Sequence, residues 1–141
     1  MGNCVFCDIL VGDAPASIVY QDERCIAFMD IRPINPGHLL VVPRQHAASL
    51  VELPPEIAGH IFQVGQKLDA ALRKSGLRCE GVNLVVADGA VAGQEIFHVH
   101  LHVLPRFRGD GFGWKINPAT RFQSRRGTLD ENAQKIRQVL D

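Results

Sequence analysis

Residues 98–104, His-Val-His-Leu-His-Val-Leu, constrain the fold of this chain more than any other stretch. Histidine at every second position, alternating with Val99, Leu101 and Val103, has the period of a half-buried β-strand, whose successive side chains point to opposite faces. The apolar residues must cover a core. His98, His100 and His102 then share the other face, with the outer two Cα positions about 13 Å apart. One solvated histidine on a strand would mean little, but three in a row on one face read as a site.

The 141 residues suffice for one domain, residues 1–141, with a core of its own, and they show no repeat of solenoid or propeller length. Lys and Arg number 15, as do Asp and Glu, so no global field holds a nucleic acid or an anionic membrane; the expected partner is a small molecule. No basic start leads into an apolar run, and the longest aliphatic run, residues 39–42, is far short of the ~20 residues of a membrane span. A cytoplasmic location is the expectation. N-myristoylation is rejected because position 6 is Phe6 rather than Ser or Thr.

Without a secretory signature the four cysteines read as reduced thiols, Cys25 and Cys79 as buried ones within apolar segments. Cys4 and Cys7 have the Cys-x-x-Cys spacing of half a zinc site, of a redox pair, or of two small hydrophobic side chains that happen to fall there. A redox pair should follow a strand and open a helix, and no strand fits before Cys4, so zinc is the better functional reading.

Phe6, Ile9 and Leu10 predict a short helix over 4–10, ended by a Gly-Asp-Ala-Pro turn. Residues 17–20 and 24–31, rich in Ile, Val, Phe and Tyr, predict a hairpin, and residues 38–42 a buried third strand closed by Pro43. Ile57, Ile61, Val64, Leu68 and Leu72 recur at helical spacing between Pro54-Pro55 and Gly76, the most secure helix of the chain. Residues 81–86 predict a fourth strand, and the small residues of 88–94 a loop that either brings backbone N–H groups close to an anion or merely connects strands.

From Arg106 to Gly127 no period is visible. A loop of that length is unusual and its aromatics, Phe112 and Trp114, argue against disorder; they serve as anchors on the core or a partner subunit, or as stacking platforms for a base. Thr128 and Glu131 have capping-box spacing ahead of a final helix whose stripe is Leu129, Ala133, Ile136 and Leu140.

Imidazole is a good nucleophile toward phosphorus at neutral pH, being largely unprotonated there and leaving readily from its adduct. A metal centre through the histidine row would have to gather rings spread over ~13 Å onto one ion, and is the weaker reading.

The run 93–106, Gly-Gln-Glu-Ile-Phe-His-Val-His-Leu-His-Val-Leu-Pro-Arg, resembles the signature of the histidine triad (HIT) family of nucleotide hydrolases and transferases. The resemblance extends to Phe28-Met29-Asp30-Ile31, to Asn35-Pro36-Gly37-His38 with the following Leu-Leu-Val-Val-Pro-Arg-x-His46, and to Gly81-Val82-Asn83, so it covers about residues 4–106 and leaves 107–141 as a C-terminal loop and helix. It implies an α+β fold with an antiparallel sheet of about five strands, one long helix on its apolar face and a C-terminal helix. It also implies a homodimer with a continuous sheet. The implied activity is on phosphoramidates or dinucleoside polyphosphates at the α-phosphorus, with a purine nucleoside monophosphate moiety expected and no organic cofactor.

By the same resemblance His100 is the nucleophile, with His98, His102 and His38 as catalytic partners. Gln94, the backbone at Glu95, and Arg106 contact phosphate. Asp30 holds the ribose hydroxyls, Phe6, Ile9, Phe28 and Ile31 wall the base, and Asn83 completes the substrate site. Relatives that bind structural zinc use a Cys-x-x-Cys, a later histidine and the first triad histidine, here Cys4, Cys7, His46 and His98. Position 95 is Ser or Thr in some branches and Glu here, an Asn of some members is Ala87 here, and Pro105-Arg106 in place of Gly-Gly leans toward dinucleoside polyphosphates. Two other readings stand beside this one: a non-catalytic nucleotide-binding or scaffold module, and a metal-dependent hydrolase using the histidine row.

Overall fold

The computed structural model describes residues 4–113, 117–119, 121 and 123–140. Two compact units follow one another, Met1–Gly111 and Phe112–Asp141, a division that falls inside the single domain expected over 1–141 and close to the end of the signature region.

The first unit runs α1 (Val5–Val11), β1 (Ile18–Gln21), β2 (Cys25–Met29), β3 (Leu39–Pro43), α2 (Pro55–Lys74), β4 (Gly81–Val85) and β5 (Leu101–Arg106). The five strands form one antiparallel sheet in the order β1-β2-β3-β5-β4, the α+β architecture expected. Both faces are covered where the site lies. On one face Ala27, Leu39, Val41, Leu101 and Val103 pack under Ile61, Val64, Leu68 and Leu72 of α2. On the other, Ile26, Phe28, Leu40 and Val42 pack on Phe6 of α1. That double burial is why β2 and β3 read as continuous hydrophobic runs without alternation.

Gly65 lets α2 lie tightly against the histidine strand: a Cβ there would stand 2.6 Å from Leu101 Cδ2. Glycine inside a helix costs roughly 0.5–1 kcal/mol against alanine, and here the close approach requires it. Asp22 joins the β1–β2 turn to α2. Its Oδ2 accepts from Tyr20 Oη (2.7 Å) and His60 Nε2 (2.6 Å), and its Oδ1 accepts from the Arg24 and Cys25 N–H groups. Partial burial alone would raise the Asp22 pKa, but these hydrogen bonds outweigh it and hold the carboxyl well below the usual range.

Several sequence expectations are corrected. The histidine strand enters the ladder only at Leu101; His98, Val99 and His100 approach it outside the ladder, and the Val99 N–H bonds Ala47 O instead (2.8 Å). Alternation in sequence records extended chain, not pairing. β2 ends at Met29, so Asp30 and Ile31 leave the sheet, and Ile31 is 89% exposed. In the second unit, α3 (Arg126–Arg137) starts upstream of the predicted capping box, with Arg125 as N-cap, so Thr128 and Glu131 lie inside the helix. Its stripe is not buried, because so small a unit has little core to offer. Trp114 lies outside the described residues.

Candidate active site and metal centre

The imidazole face of β5 and the α1 face of the sheet are one and the same, so helix and histidines enclose a cleft of about 670 Å³. Its apolar walls include Phe6, Ile9, Phe28 and Ile31, and its polar positions include Asp30, His38, Gln94, Glu95, His100 and His102. Ile96, Pro15 and Ala16 also line it, and nothing in their local sequence marked them. Phe6, from between the two cysteines, sets its ring edge-on to His100 with centroids 5.0 Å apart.

Hydrogen bonding assigns each tautomer. His100 Nδ1 faces the carbonyl of His98 at 2.8 Å, so it carries the proton and leaves a lone pair on Nε2. His38 Nδ1 accepts from the Ile34 N–H (3.2 Å), so its Nε2 carries the proton and donates to His102 Nδ1 at 2.9 Å. His102 is left with its N–H at Nε2. Burial lowers the pKa of His38 and His100, against opposing help from Asp30 in both and from the His98 carbonyl in His100. His102 is pushed down to about 4, first by burial and then by His100 and His38. Burial thus favours the neutral rings, and an unprotonated ring nitrogen is what nucleophilic chemistry requires.

His98 departs from the other two. It is fully buried, its Nε2–H donates to Pro43 O (2.8 Å), and its Nδ1 lone pair turns toward the cysteines. Nδ1 lies 3.4 Å from Cys4 Sγ, 3.7 Å from Cys7 Sγ and 3.2 Å from His46 Nδ1, while Cys7 Sγ and His46 Nδ1 are 3.4 Å apart. A tetrahedral zinc with bonds of about 2.3 Å to sulfur and about 2.0–2.1 Å to nitrogen places its ligand atoms roughly 3.3–3.8 Å apart. The four donors, all within 4.8 Å of one another, fit such an ion. With His98 turned to the thiols and His102 Nδ1 engaged by His38, the triad does not converge on a metal of its own.

Three predicted site residues do other work. Arg106 donates from Nε and Nη2 to Asp110 (2.6 and 2.9 Å) and from Nη1 to Asn83 Oδ1 (2.8 Å), and neither Arg106 nor Asn83 lines the cleft. Asn35 donates to the same Asp110 and to Pro105 O, which ties the 107–110 turn to the sheet. Gln94 lines the cleft, but its Nε2 donates to Ala48 O and Ile96 O while its Oε1 accepts from the Gly89 N–H, so its amide shapes the loop and is not offered to a phosphate. Asp30 accepts the Arg32 N–H on Oδ1 (2.8 Å) and keeps Oδ2 beside His38 Nε2 (3.7 Å).

A five-stranded antiparallel sheet with three alternating histidines on the segment that leads into and begins β5, and a fourth just before the neighbouring β3, defines a histidine-triad fold. The HIT domain family matches residues 11–109, and the chain belongs to that family. A zinc-bound histidine triad family protein from Mycobacterium smegmatis superposes with a TM-score of 0.76 at 45% identity, over 82% of this chain and 84% of the other. A HIT family protein of Bacillus subtilis superposes with a TM-score of 0.86 at 36% identity, over 99% and 98% of the two chains. Among curated relatives, an adenylylsulfatase of Arabidopsis thaliana is 38% identical over 109 residues, 77% of this chain and 54% of that protein. The family and these relatives support a nucleotide hydrolase or transferase kind of function.

Proposed function

We propose that the protein transfers a nucleoside monophosphate from a phosphoramidate or dinucleoside polyphosphate first to His100 and then to water. The observation that carries this reading is the His100 ring, with its Nδ1–H held by the His98 carbonyl and its Nε2 lone pair directed by default at the cleft. Attack by Nε2 on the α-phosphorus leaves positive charge on the ring. The His98 carbonyl stabilises that charge through a hydrogen bond that becomes charge-assisted. His102 Nε2–H holds the departing atom by a hydrogen bond, its Nδ1 steadied by His38, and the leaving group takes its proton from solvent water. In the second step water adds to phosphorus and gives up a proton to solvent, and His100 departs with its lone pair restored.

Each in-line step inverts phosphorus, so the pair retains configuration. A substrate made chiral at the α-phosphorus is expected to give product with net retention; net inversion would overturn the covalent route and favour direct attack by water, as a metal-dependent hydrolase would achieve it. A scaffold module would bind AMP and release no product.

Asp30, which lines the cleft, is read as the ribose contact, its Oδ2 3.7 Å from His38 Nε2 while Oδ1 caps the turn. A 2′-deoxy substrate forfeits a charge-assisted hydrogen bond, a loss of roughly 1.5–3 kcal/mol or about ten- to a hundred-fold in kcat/KM. Asp30→Ala is expected to shrink that preference toward unity. If the variant still discriminates like the parent, Asp30 only caps the turn.

Cys4, Cys7, His46 and His98 are read as the ligands of a structural zinc. Two thiolates and two imidazoles close its coordination, and the ion's chemistry is to bind and hold, with no open position for water. The chain is further read as a homodimer built on β4, which ends the sheet, and as a protein of the reducing cytoplasm, which suits four free thiols.

A further inference from the structure

The charges lining the cleft are the wrong ones for a polyphosphate. Among the described residues that line it, Arg32 is the only Lys or Arg, and it belongs to the turn that Asp30 caps. Arg106, the cation that the sequence placed at the phosphates, is spent on Asp110 and Asn83. His38 and His102 are uncharged by their hydrogen bonding, since each accepts on one ring nitrogen. The remaining charged groups are carboxylates: Asp30 at the end of β2, and Glu95 on the 93–96 segment that leads into the triad. Glu95 is exposed and shows no hydrogen bond that would neutralise it among those described.

With base and ribose on the walls made by α1 and the end of β2, as the proposed function has them, the wall of 93–96 and Ala87 is left for the leaving group. An extra phosphate there would meet a carboxylate without a compensating guanidinium or ammonium, which transferring enzymes otherwise use to hold such chains. An amine whose far end carries a second, protonated amino group would meet a partner.

We infer that Glu95 selects the leaving group, making this a site for nucleoside phosphoramidates of cationic amines and disfavouring polyphosphates. The inference rests on the covalent mechanism proposed above and names its substrate class. In the first step the His100 Nε2–P bond forms and the P–N bond breaks, its electron pair leaving on the amine nitrogen, which is held by the His102 Nε2–H and takes a proton from solvent water. The distal ammonium takes no part in bond changes and is held by Glu95. In the second step water donates its oxygen to phosphorus and a proton to solvent, and the His100 Nε2–P bond breaks with its electron pair returning to His100.

The test compares kcat/KM of the parent, Glu95→Gln and Glu95→Lys on three substrates. These are an AMP phosphoramidate of an ω-aminoalkyl amine, the matching ω-hydroxyalkyl phosphoramidate, and a diadenosine polyphosphate, all at low ionic strength, with melting curves to confirm folding. The parent is expected to favour the cationic over the hydroxyl phosphoramidate by about 5- to 30-fold, a preference that shrinks with added salt. Glu95→Gln should bring that ratio to within about twofold, and Glu95→Lys should reverse it while raising the relative rate on the polyphosphate. A parent without the preference, or a ratio that both variants leave unchanged, overturns the role of Glu95. If none of the three substrates is consumed and none labels His100, the covalent mechanism itself fails, and the inference with it.

Discussion

Replacing His100 by alanine is expected to lower kcat by at least about 10³-fold while AMP still binds. The size follows from how completely the proposed chemistry is concentrated on one ring. His98 has its nitrogens committed to Pro43 O and to the thiol cluster, and His102 accepts from His38 on Nδ1, so His100 Nε2 is the lone pair left to attack phosphorus. Binding should survive because the apolar walls, Phe28 and Ile9 among them, and the Asp30 carboxylate come from other elements. Single-turnover kinetics with a radiolabelled nucleotide, quenched in denaturant, should show label on the parent and none on His100→Ala. A variant that turns over at near-parental rate removes the mechanism.

Freshly prepared, reduced protein is expected to contain about one zinc per chain, and Cys4→Ala combined with Cys7→Ala should abolish it. The cost should fall on stability, by about 3 kcal/mol or more, with a melting temperature lower by about 10 °C or more. Helix α1 is only seven residues long, too short to persist by its own propensity, and its core contact is Phe6 with help from Ile9 and Leu10. The metal would tie its start to His46 and His98, which also carries the carbonyl that fixes the His100 tautomer. Some activity is therefore expected to go with the metal, but less than with His100. Elemental analysis that finds no zinc in reduced protein, or a double variant that melts with the parent, sinks this assignment.

Much of the fold was legible along the chain because its signals are local. The spacing from Ile57 to Leu72 records one buried helical face, and α2 spans Pro55–Lys74 accordingly. The alternation from His98 to Leu104 correctly assigns Val99, Leu101 and Val103 to one core and the imidazoles to the other side. It misplaced the start of the ladder, since an extended chain alternates whether its N–H groups meet a strand or, as at Val99, a loop carbonyl. The staple between Asp22 and His60 had no signal at all, because two ordinary surface residues 38 positions apart carry no mark of each other.

By itself, then, the sequence determined which residue types share a face: the imidazole row, the apolar stripe of α2 and the pair of thiols one helical turn apart. Tertiary structure alone decided what each polar group spends its hydrogen bonds on. Cys4 and His98 meet across 94 positions, and that contact directs the His98 Nδ1 toward the thiols. Arg106 is consumed by Asp110, Gln94 by three backbone groups, and the His100 tautomer is set by a carbonyl two residues back. The physical reason is that a side chain's period along the chain fixes its direction, whereas its protonation, charge and availability depend on the partners that folding brings to it.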